Sequence, residues 1–220
     1  METTVSVDTA IIPALKEAIR HNEIGSASPY CLAFARLGSS GASFGIFQGD
    51  TNESESARST LRAALSAAGH GDGQIDPLMS LLCRPCPHGN PLSPDQTALV
   101  EVALAAPTGQ DLVDRMDEGL LQMVVNHLDS SLAAAADRSC TITPEAQLYI
   151  ALWCNMTGAP TTLNAWLRGS AEMGIKPAAG PEVGVAEIQA YLRACEFFRD
   201  HPQNFEHMQQ SVQAAVAKLP

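Results

Sequence analysis

The sequence predicts a mainly α-helical protein with one small β-hairpin, and three observations lead there. Hydrophobic residues make up 45 % of the 220-residue chain but aromatics only 5 %, a balance that, with abundant Ala, suits closely packed helices better than a β-sandwich. Apolar residues recur at helical spacing in most segments between Gly- and Pro-rich breaks. Partial alternation of the strand kind is confined to Ala42–Gln48. The length suits one large domain, residues 1–220, with room for a second lobe and a substantial core.

The elements follow in order. Thr9 to Asn22 places Ile11, Ile12, Leu15, Ala18 and Ile19 on one helical stripe, with Asp8 or Thr9 as cap and Pro13 in the first turn. That helix delivers Glu23 at its C-terminal end. Gly25 to Pro29 is turn chemistry, Tyr30 to Leu37 a short apolar segment, Gly38 to Gly41 a bend and Ala42 to Gln48 the hairpin arm. Glu53 to Ala68 returns to helix, closed by Gly69; Gly69-His70-Gly71-Asp72-Gly73 reads as a flexible turn and Asp76 to Leu82 as a short helix. The proline-rich stretch Cys83 to Pro94 is irregular. Ser93 caps a helix to about Ala105, and Thr108 or Asp111 starts a longer one to Ala136. Thr143-Pro144-Glu145 opens the next, Gly158-Ala159-Pro160 breaks it, and Thr161 to Leu167 resumes. Pro177 to Gly184 reads as a hinge before two closing helices, Glu187 to Phe198 and Asn204 to Leu219.

Charge excludes several functions. With 13 Lys+Arg against 24 Asp+Glu the net charge is −11, so a nonspecific grip on nucleic acid or an anionic membrane is unfavourable. The same acidity disfavours anionic glycans and favours a cationic one such as chitosan. The first residues lack a basic and an apolar region of the secretory kind, and no eighteen apolar residues run together. The expectation is therefore a cytoplasmic protein as written, or export by a non-classical route. The six cysteines read as reduced, mostly buried thiols.

Cleaving a glycosidic bond requires a carboxylic acid beside the leaving oxygen, in surroundings that keep it protonated. Glu23 fits by placement: it ends a helix, where the dipole disfavours negative charge, and Tyr30, Phe34, Phe44 and Phe47 follow closely. The partner stretch Ser40-Gly-Ala-Ser-Phe-Gly-Ile-Phe-Gln-Gly-Asp50 supplies glycines that let a backbone approach a sugar, an amide and a second carboxylate. Together these resemble the lysozyme-like superfamily. In goose-type lysozymes and soluble lytic transglycosylases a catalytic Glu at a helix end precedes a hairpin of the form Gly-x-x-Phe-Gly-Leu-Met-Gln-x-Asp; Gly41, Phe44, Gly45, Ile46, Gln48 and Asp50 stand in matching places. The likeness covers about residues 10–70. It implies a lysozyme-like bilobal helical fold with the cleft between two lobes, Glu23 as general acid, Gln48 lining the cleft and Asp50 positioning water; Tyr30, Ser43, Phe44 and Thr51 beside them are further candidate substrate-binding residues. The substrate would be a β-1,4-linked polysaccharide, peptidoglycan-like or chitosan-like, with no cofactor and no metal.

Three stretches leave alternatives open. Trp153 to Trp166 breaks a helix with polar residues between two tryptophans, which suits stacking on sugars and makes Asn155, Thr157, Thr161 and Asn164 candidate substrate-binding residues. It reads equally as a helix–turn–helix with core tryptophans. Asp50 could simply cap the next helix, and Glu53 and Glu55 are rival carboxylates that also suit a helix start. Cys83, Cys86 and His88 have the spacing of half a zinc site, which His70 or His127 would have to close. The competing functions are a lyase on a uronic acid polymer, with Tyr30 or His21 as base beside Arg36, and a non-catalytic glycan-binding or interaction module.

Overall fold

A computed structural model describes residues 6–36, 38–177 and 180–220. The protein is mainly helical. Its described residues form ten α-helices and two sheets of two strands each, and they fall into two compact units: 23–120, and 1–22 with 121–220.

In the second of these units, Asp8 accepts from the Ala10 N–H and opens a single 3-10 turn at Thr9–Ile11, which leads into α1, Ile12–Glu23. Ala14, Leu15, Ala18 and Ile19 form its buried stripe, the spacing that an amphipathic helix requires. The unit also holds the end of α5 (Pro107–Ala136), α6 (Pro144–Thr157), α7 (Thr161–Leu167), α8 (Val185–Ala194), α9 (Glu196–Asp200) and α10 (Pro202–Val216). Thr143 caps α6 by accepting from the Ala146 N–H at 3.3 Å. Leu128, Ile150, Trp166, Tyr191 and Met208 are among its fully enclosed core residues.

Unit 23–120 contains the expected hairpin, β1 (Ser43–Phe44) against antiparallel β2 (Gly49–Asp50), with α2 (Glu55–Ala67), α3 (Asp72–Leu82), α4 (Pro94–Ala105) and the start of α5. Phe44, Leu61, Leu65, Ile75, Leu82, Val100, Leu104 and Met116 join in one hydrophobic core. Ser54 caps α2, and at α4 Ser93 and Gln96 form a reciprocal capping box.

Four expectations need correction. Helix α3 begins at Asp72, absorbing part of the supposed flexible turn, because Ile75, Leu78, Met79 and Leu82 supply a buried stripe and Asp72 lies at the positive helix end. A second sheet exists: β3 (Thr141–Ile142) pairs in parallel with β4 (Glu182–Val183), so the end of the supposed hinge is pinned by hydrogen bonding. Two residues per strand are too few to show a period of two. The segment expected as one helix from Glu187 to Phe198 is divided at Cys195, whose backbone is extended (φ −61°, ψ 138°). Helix α5 starts at Pro107, ahead of the expected Thr108 or Asp111, where proline's missing N–H has no helical partner to lose. The N-terminal residues 1–5, Leu37 at the end of the apolar segment, and Ala178 and Ala179 of the hinge lie outside the described residues.

Candidate functional site

The hairpin and its neighbours form the most elaborately built feature of unit 23–120. The register pairs Ser43 with Asp50 and Phe44 with Gly49, leaving Gly45–Gln48 as a four-residue turn. Three consecutive N–H groups of that turn point to acceptors. Gly45 donates to the Pro29 carbonyl at 2.7 Å, and Ile46 and Phe47 donate to the Asp117 carboxylate at 2.8 and 3.3 Å. Asp117, on α5, is only 5 % exposed. Such successive N–H groups make a small anion-holding concavity, and here its anion is the chain's own carboxylate.

Two glycines of the motif are demanded by this packing. Gly45 has φ +84°, and a Cβ there would stand 2.5 Å from Asp117 Oδ1 and 2.8 Å from Met116 Cε. A Cβ on Gly41 would stand 2.7 Å from the Leu82 carbonyl oxygen. The glycines thus admit the protein's own α5 and α3, a use that the sequence motif by itself does not distinguish from close approach to a sugar.

The expected site residues separate into two groups. Glu23 is the last residue of α1 and the first of unit 23–120, and is half-buried. Tyr30 donates its hydroxyl proton to Asp114 at 3.0 Å. Burial, then that hydrogen bond and the charges of Asp114, Asp117 and Asp111, raise the Tyr30 pKa above the ordinary phenol value. Gln48, with φ +51°, turns its amide back onto the Gly45 carbonyl at 2.9 Å. Asp50 accepts from the Gly41 N–H through both carboxylate oxygens at 3.1 Å, and through one of them from Asn52 and Glu53 at 2.7 and 3.3 Å. It clamps the strand ends and starts the turn that leads to α2, while the cap of α2 expected of Asp50 falls to Ser54.

Ser43, Phe44 and Thr51 were expected to meet substrate, but the structure employs them internally. Ser43 and Phe44 are buried in β1, and Thr51 has no exposed surface, donating to the Ala42 and Leu82 carbonyls across the base of the hairpin. A side chain without exposed surface cannot touch a polymer.

The second group lies in the other unit. Thr157 and Thr161 line a cavity of about 340 Å³ together with Trp153. Asn155 is half-buried at the end of α6. Asn164 is buried, accepting from the Ser131 hydroxyl at 2.7 Å and donating to Ser130 at 3.0 Å, so it ties α7 to α5. Trp166 is core, 5.0 Å ring to ring from Tyr191. His21, a candidate for proton transfer, sits 3.0 Å from the Ser211 hydroxyl through Nδ1. Cys83, Cys86 and His88 do not gather: among the described residues no three His, Cys, Asp or Glu side chains are arranged to hold a metal ion.

The sequence reading assigned no site role to Asp111, Asp114 and Asp117. They recur every third residue and so share a side of α5, and that spacing was the available sign. With Glu101, which accepts from the Leu32 N–H at 3.1 Å, they make the surroundings of Tyr30 and the hairpin acidic. Comparison with protein-family models, with curated proteins and with solved structures finds no match for this chain. No described helix is long and apolar enough to cross a membrane.

Proposed function

We propose that the protein is a lysozyme-like enzyme that cleaves a β-1,4-linked polysaccharide, with Glu23 as general acid. The observation that carries the reading is that α1 ends on Glu23 and that the same compact unit holds a formed Ser43–Asp50 hairpin with its turn locked by Asp117. In this reading Glu23 protonates the leaving oxygen while positive charge develops on the sugar ring. The acidic residues around Tyr30 favour a neutral or cationic glycan of the chitosan kind over an anionic one. They also weigh against the lyase alternative. A tyrosine base has to lose its proton, and the neighbours of Tyr30 hold that proton on.

Digestion of chitosan, chitin, peptidoglycan and alginate, followed by mass spectrometry of the products, tests the proposal. The expected result is cleavage of at least one β-1,4-linked amino-sugar polymer, falling by roughly 10²–10⁴-fold in Glu23→Gln with an unchanged melting temperature. Product masses separate hydrolysis from anhydro-sugar formation. Inert wild-type protein, or a fully active Glu23→Gln variant, would sink the idea.

A further inference from the structure

The cavity of about 340 Å³ in unit 1–22 with 121–220 has a chemistry that glycan cleavage by Glu23 does not use. Trp153, Tyr191, Phe197 and Met173 line it beside Glu196 and Thr157. Phe197 and Met173 are large apolar residues left 37 and 44 % exposed. Their neighbour Phe198 is buried, packed 5.4 Å from both the Trp153 and Phe205 rings. The break at Cys195 produces this contrast, because it ends α8 and restarts the chain as α9 with Glu196 and Phe197 on the cavity and Phe198 in the core.

Among the described residues Glu196 is the only charged side chain of the lining. The Thr157 hydroxyl donates to the Trp153 carbonyl at 2.8 Å, which leaves its oxygen lone pairs available. Glu196 has no hydrogen bond or ion pair among the described residues, and an ionised carboxylate only accepts. Among the described residues no Lys, Arg, His, Asn or Gln lines the cavity. A sugar needs donors and acceptors arranged around its ring, and here the side-chain donors are the Trp153 indole N–H and a few hydroxyls. Aromatic faces carry negative potential and attract a cation with an apolar skin.

We propose that this cavity binds a small organic cation of the quaternary-ammonium class, a choline-type head group, against the Trp153 and Phe197 rings with Glu196 as counter-charge. The net charge of −11 raises the local concentration of cations.

The test is titration of the full chain with choline chloride and, separately, with 3,3-dimethylbutan-1-ol, a neutral molecule of the same shape. Binding is read by calorimetry and tryptophan fluorescence. Choline is expected to bind, and the alcohol to bind roughly tenfold or more weakly. Glu196→Gln and Phe197→Leu, both at exposed positions, should each weaken choline roughly three- to tenfold without altering the circular dichroism melt. Equal affinity for choline and the alcohol, or silence toward choline, would overturn the proposal. So would a response to a chitin oligosaccharide but none to choline, which would assign the cavity to a sugar. The digestion test interrogates Glu23 and this one Glu196 and Phe197, so either proposal can fail alone.

Discussion

Replacing Asp117 by Ala removes the acceptor shared by the Ile46 and Phe47 N–H groups and leaves one partly buried and one buried donor without it. The expected loss is about 1–3 kcal/mol of folding stability, read by urea unfolding. Gly45→Ala attacks the same contact from the other side, adding a Cβ that meets Asp117 and Met116 at a positive φ, and should cost a similar ~1–3 kcal/mol. If both variants unfold like wild type, the turn is not held by Asp117. Thiol chemistry is the second residue-scale prediction. Cys31 is exposed, whereas burial pushes the Cys154 thiol up to about 12 and the Cys195 thiol up to about 11. A thiolate-seeking disulfide reagent should therefore modify Cys31 first and reach Cys154 and Cys195 only on unfolding; peptide mapping of briefly labelled protein checks the order.

Between elements, the ion pair of Glu17 on α1 with Lys218 beyond α10 links the two ends of the chain at 2.6 Å. The Lys218 hydrogen bond is the largest influence on Glu17 and lowers its pKa below the usual carboxylate value. A depressed carboxylate stabilises the fold above its unfolded pKa, and that contribution disappears as pH falls through the folded value. Lys218→Met should accordingly cost about 0.2–1 kcal/mol at neutral pH, and its unfolding curve should merge with that of wild type in acid. A difference that persists in acid would mean that the lost contact was packing rather than charge. Helices α4 and α6 were legible in the sequence because their caps, Ser93-Pro94 and Thr143-Pro144, are local chemistry. The division of α8 from α9 was not legible, since Cys195 carries no breaker signature. It follows from burial of Phe198 and Cys195, which only the assembled core requires.

For the whole molecule the net charge of −11 sets how any polymer approaches. Cleavage of a cationic glycan should slow as salt is added, because screening removes the attraction; assays at increasing ionic strength should show a falling kcat/KM on chitosan. A rate that rises with salt would point to an anionic substrate.

The sequence by itself determined the helical class, most helix positions, the hairpin and the acidity, because these rest on periodicity, caps, turn residues and composition, all encoded over a few residues. Tertiary structure alone decided the rest. It made Phe44 and Thr51 core, brought Asp117 beneath the Gly45–Gln48 turn, and placed Glu196 and Phe197 beside Trp153. Each of those outcomes joins residues far apart in the chain, and no local pattern records which distant side chain will occupy the space a glycine leaves or the acceptor an amide needs.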